Sequence, residues 1–90
     1  MNQTALLHPD KNTALPLYEQ IKQDIRGRIQ EQEWLPGTRL PSENELVESL
    51  GVSRMTVHRA FRELTQEGLL ERVHGLGTFV AKPPRHASLI

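Results

Sequence analysis

Ninety residues fill one small domain, since domains run to roughly 100–200 residues, and a fold of that length buries only about 60 to 65% of the surface its unfolded chain exposes, leaving no room for a large cleft. The absence of cysteine removes disulfides, thiolate nucleophiles and cysteine-based zinc sites, and no apolar run exceeds three residues, against the roughly 18 of a membrane span, so a soluble, cytoplasmic chain with no membrane partner is expected. Eleven basic side chains cancel eleven acidic ones, a sum that argues against a nucleic-acid partner, yet residues 1–50 carry five Lys/Arg against eight Asp/Glu and residues 51–90 six against three, which makes the second half electropositive.

Residues 1–14 show no sustained period and are read as a flexible N-terminal arm. From Pro16, a good first-turn residue, Leu17, Ile21, Ile25 and Ile29 recur every four residues with Tyr18 beside the stripe, which predicts an amphipathic helix through about Gln32. Pro36-Gly37 makes a turn, and Arg39-Leu40 is a short extended piece ahead of Pro41. Ser42 opens a second helix, because Glu45 three residues on can return a hydrogen bond to the cap residue's own N–H; Leu46, Val47 and Leu50 form its buried side. Gly51 tolerates a left-handed backbone, Val52 enters the core and Ser53 caps a third helix. There Val57, Ala60, Phe61 and Leu64 stand at i, i+3, i+4 and i+7, and Gly68 ends the helix. Residues 69–81 read as two strands, LLERVH and TFVA, joined by Gly75-Leu76-Gly77. Lys82-Pro83-Pro84-Arg85 reads as a linker and Leu89-Ile90 as the start of a further segment.

Two short capped helices meeting at a glycine-containing corner, with Leu46, Leu50, Val52, Val57 and Ala60 as anchors, form a helix-turn-helix over about 43–62. The expected fold class is therefore α+β, mainly α: a winged helix-turn-helix of three helices and a small β-hairpin wing. On the third helix a wheel at 100° per residue sets Met55, Arg59 and Arg62 opposite the core stripe, with Arg54 and His58 on one flank and Thr56 on the other. Its first turn, Ser53-Arg54-Met55-Thr56, offers hydroxyls and N–H groups to phosphates and an Arg fork that matches a guanine edge. The competing reading of this face is a solvated basic surface. At the hairpin tip, Gly75-Leu76-Gly77 lacks the following helix of a dinucleotide site; a plain turn competes there with a wing in which His74 and Gly75 enter a minor groove.

The segments PLYEQIKQDI, PGTRLPSENEL and GVSRMTVHRAFRELTQEGLLERVHGLGTFV closely resemble the winged helix-turn-helix of the GntR family of bacterial transcription regulators over about residues 15–82. Within it, LPSENEL, SRMTV and GLGTFVA look most like the subfamily that includes the histidine-utilisation repressors. The resemblance implies a homodimeric, nucleoid-associated repressor on a palindromic operator, released when a small metabolite, such as urocanate, occupies a C-terminal effector domain beyond the 83–90 linker. It implies no cofactor within this chain.

Position by position, the resemblance gives Ser53, Arg54, Met55, Thr56 and His58 as the DNA-facing residues of the recognition helix, with Arg54 first for a base contact. It gives Asn44 as a backbone or base contact and His74 and Gly75 as the wing residues of the minor groove. Asn44 stands where relatives often have Arg, His58 where Arg or Gln is frequent, and Leu76 where Arg or Lys is common, each removing a positive charge. Phosphate contacts are expected from helix N-termini and from Arg59, Arg62 or Lys22. The rival from another class is a winged helix used for protein contacts, which zero net charge favours. No enzyme is expected, because His8, His58, His74 and His86 have neither metal-ligand spacing nor an obvious carboxylate partner.

Overall fold

The computed structural model describes residues 14–82. The arm expected over 1–14, Ala14 apart, and the linker over 83–90 lie outside the described residues. Three helices come first, α1 (Leu17–Gln30), α2 (Glu43–Leu50) and α3 (Arg54–Gln66), then an antiparallel hairpin of β1 (Leu70–Val73) and β2 (Gly77–Val80). This is the winged helix-turn-helix order.

The helix ends follow local hydrogen bonding. Pro16 precedes α1, its carbonyl accepting from the N–H groups of Glu19 and Gln20 at 3.0 and 3.1 Å. Ser42 makes the expected capping box of α2: its Oγ accepts from the Glu45 N–H at 3.0 Å and its own N–H donates to Glu45 Oε1 at 2.8 Å. Ser53 caps α3 through a bond from the Thr56 N–H at 3.1 Å.

The helix α1 stops at Gln30, short of the expected Gln32. Gln32 takes a left-handed backbone, φ 62, so that its N–H reaches Ile29 O at 3.1 Å and the Glu33 N–H reaches Arg28 O at 2.9 Å. That pair of bonds is a Schellman closure, and a glutamine gives no sequence signal for it. Beyond α3 the same closure recurs with the residue that favours it: Gly68, φ 85, bonds Thr65 O, and Leu69 bonds Leu64 O, both at 3.0 Å.

Ile21 and Ile25 of α1 and Val57, Ala60 and Leu64 of α3 are fully buried, with Leu46, Val52, Phe61, Leu70 and Val80 closing the core around them. Trp34 and Leu40 from the α1–α2 connection join the same core. The hairpin register runs from Leu70 opposite Val80 to Val73 opposite Gly77, so the connecting residues are His74-Gly75-Leu76 rather than Gly75-Leu76-Gly77. The Leu76 N–H bonds Val73 O at 2.9 Å around Gly75, φ 81, which fixes the turn one residue earlier and returns Gly77 to the ladder.

The extended piece before Pro41 is a third strand in all but length. Gly37 N–H donates to Val80 O, Val80 N–H to Thr38 O and Leu40 N–H to Thr78 O, each at 2.8 Å, and Arg39 faces Phe79 across β2. The hairpin is thereby fastened to the chain just ahead of α2.

Candidate nucleic-acid interface

The first turns of α2 and α3 and the tip end of the hairpin surround a cleft of about 410 Å³, bordered by Arg39, Asn44, Arg54, Arg72, His74 and Gly75 among others. Asn44, Arg54, His74 and Gly75, expected at the interface from sequence, thus come together. Asn44 and Arg54 also touch: the Arg54 guanidinium donates to Asn44 Oδ1. A neutral amide can accept this bond where a second arginine would repel.

Along the outer face of α3, Ser53, Arg54, Met55 and His58 are exposed and Thr56 is half-buried, its hydroxyl 2.8 Å from that of Ser53. Met55, 82% exposed, stands out into solvent. Arg62 is exposed further along the helix. Arg59 is exposed too, but its guanidinium lies 3.8 Å from the centre of the Tyr18 ring and Nε donates to Glu63 at 2.9 Å, so it leans toward α1 rather than standing free.

Lys22 does not face outward as expected. It is buried at 7% exposure, and its ammonium meets Glu63 at 2.8 Å and Glu67 at 2.9 Å. The stripe that carries Ile21 and Ile25 turns Lys22 under the α3 carboxylates, which displaces it from the phosphate role. The Glu63 carboxyl is held below its ordinary range by Lys22 and then Arg59, and Glu67 likewise by Lys22 and then Arg26. The Lys22 ammonium is correspondingly raised, through Glu63 and then Glu67.

Three residues at the cleft escaped the sequence reading. Glu43, in the first turn of α2, brings its carboxylate to His58 Nδ1 at 3.4 Å and to Arg72 at 3.5 Å, so His58 has an acidic neighbour after all, fifteen residues away in the chain. Arg72 follows Leu70 by two residues on β1, and the strand's alternation directs both to the helix side. Arg39 is exposed between half-buried Thr38 and buried Leu40. The same period of two was the available signal for it.

The comparisons agree with this geometry. The family model described as "Bacterial regulatory proteins, gntR family" matches residues 17–80. The histidine utilization repressor of Pseudomonas aeruginosa is 55% identical over 74 residues, covering 82% of this chain and 30% of the relative. That of Klebsiella aerogenes is 51% identical over 79 residues, 88% of this chain and 33% of the relative. The chain thus spans about a third of the length of these curated relatives. Among solved structures, YtrA from Sulfolobus acidocaldarius, a GntR-family transcription factor, superposes with a TM-score of 0.83 at 34% identity, over 91% of this chain and 70% of that one. AraR(DBD) in complex with operator ORE1 does so with a TM-score of 0.72 at 43% identity, over 80% of this chain and 88% of that one. Helix order, hairpin register and the matched residues together make this chain a member of the GntR family of bacterial regulatory proteins.

Proposed function

We propose that this chain is the sequence-specific DNA-binding domain of a metabolite-responsive transcriptional repressor, most like those of histidine utilisation, and that it meets a palindromic operator as a homodimer. The observation that carries the reading is the cleft between the exposed first turn of α3 and the hairpin, with Arg54 in its lining. Relatives support it: two similar proteins are histidine utilization repressors, and a similar DNA-binding domain is solved on its operator. In this reading α3 enters the major groove, Arg54 reads a guanine edge beside Ser53, Met55, Thr56 and His58, and Asn44 assists from α2. His74 and Gly75 approach the minor groove, while Arg62, and Arg59 when it leaves Tyr18, meet phosphates. The protein works in the cytoplasm, on the nucleoid. Its effector, a histidine-pathway metabolite such as urocanate, binds outside these residues.

The test is selection of binding sites from random DNA duplexes at low salt, wild type beside Arg54→Ala. A palindrome is expected from wild type, blurred at one symmetric position in the variant, with a loss of about 1–3 kcal/mol on the preferred site. No enrichment, even from a chain fused to a dimeriser, would refute the reading. Exposed Met55 and Leu76 together with zero net charge favour one second reading, a surface for protein contacts, whose mark is binding insensitive to salt.

A further inference from the structure

Arg39 lies on the strand that fastens the hairpin, and the DNA-contact residues expected from sequence do not include it. Its guanidinium rests against the backbone of β2 at Gly77, where a Cβ would stand 3.1 Å from Nε and 3.6 Å from a terminal nitrogen. The absent side chain at Gly77 is what lets the group lie there. Arg39 forms no ion pair with a carboxylate among the described residues, whereas Arg59 and Arg72 do. An arginine stays charged at any physiological pH, and its fork suits paired phosphate oxygens. Arg39 borders the same cleft as Arg54 and His74, so in the DNA-binding reading it shares a surface with the helix that enters one groove and the hairpin that enters the next.

We infer that Arg39 is a DNA-backbone clamp, taking the phosphate of the strand that passes between recognition helix and wing. It fixes how the two reading elements sit on the duplex and reads no base. The inference rests on the DNA-binding reading above.

The test compares wild type, Arg39→Gln and Arg39→Lys on the selected operator and on a scrambled duplex across a salt series. Loss of one phosphate contact shrinks the slope of log affinity against log salt by about 0.9. Arg39→Gln is expected to show that change equally on both duplexes, with the selected sequence unaltered, and Arg39→Lys to retain most of the wild-type slope. An unchanged slope in Arg39→Gln, or a loss confined to one base position, would overturn the clamp. Thermal melts of the free variants separate lost contacts from lost folding: if Arg39→Gln melts early, Arg39→Lys against wild type decides, a weaker uniform affinity supporting the clamp and identical binding to both duplexes at every salt overturning it. If wild type itself selects no sequence, the operator reading fails; if it selects one and the slope is unmoved, only the clamp fails.

Discussion

At the scale of single residues, the bond between Arg54 and Asn44 Oδ1 makes two candidate contacts into one unit. With part of its fork committed to the amide, Arg54 is held before DNA arrives, which lowers the ordering cost of reading a base. The expected signature is a coupling of about 0.5–3 kcal/mol between the two positions. Asn44→Ala should weaken operator binding less than Arg54→Ala, and the double variant should bind no worse than Arg54→Ala alone, in competition binding on the selected duplex. Losses that simply add would mean Asn44 meets DNA independently. A second residue-scale expectation concerns stability. Gln32 holds a left-handed backbone, φ 62, that disfavours any side chain by about 1 kcal/mol, so Gln32→Gly should raise the urea midpoint by an amount corresponding to about 0.5 kcal/mol, part of the gain being returned to the unfolded chain's entropy. The contrast with Gly68 shows why one helix end was readable and the other was not: the hydrogen bonding is the same, and only one of them carries the residue that announces it.

At the scale of elements, α1 and α3 are joined twice, by the fully buried core and by a polar clasp above it, Arg59–Glu63–Lys22–Glu67–Arg26. The periodic apolar positions made the first junction legible. The clasp was not, because Lys22 and Glu63 lie 41 residues apart and nothing in either helix alone distinguishes a clasped lysine from a solvated one. Its pH dependence has a definite sign. Glu63 and Glu67 fall below their ordinary value of 4.5 on folding, so the stability they confer is present above that range and is lost as pH drops through the lower folded values. Lys22 rises above its ordinary 10.5, so its contribution is complete below that and disappears only as alkaline pH passes the folded value. The advantage of wild type over Glu63→Gln, followed by thermal unfolding, should accordingly shrink from pH 7 to pH 3. Lys22→Met at pH 7 should destabilise by about 1–3 kcal/mol, below the cost of an orphaned buried charge, because Glu63 keeps Arg59 and Glu67 keeps Arg26.

For the whole molecule, one small domain presents one reading surface, and a palindrome needs two. Fusing the chain to a dimeriser should raise affinity for a palindromic duplex about 10²- to 10⁴-fold while leaving a single half-site nearly unaffected, provided the linker spans the two sites; equal gains on both duplexes would argue against symmetric engagement. The helix-turn-helix, both serine caps and the face of α3 could be read from the chain, since each rests on neighbours a few residues apart. The rest of the cleft lining could not. Glu43, Arg72 and Arg39 reach it from α2, β1 and the connecting strand, and only the folded chain brings them together.

That sheet also sets a load path. Past Val80 the chain runs on through Ala81 and Lys82, while Val80 itself is bonded on both sides of its peptide to Gly37 and Thr38. Tension drawn along the chain beyond Lys82 meets the bond from the Ala81 N–H to Leu69 O and then loads the paired Val80 bonds in shear, rather than peeling the hairpin from its tip. It therefore reaches both the segment that leads out of α3 and the strand that carries Arg39 at the border of the cleft.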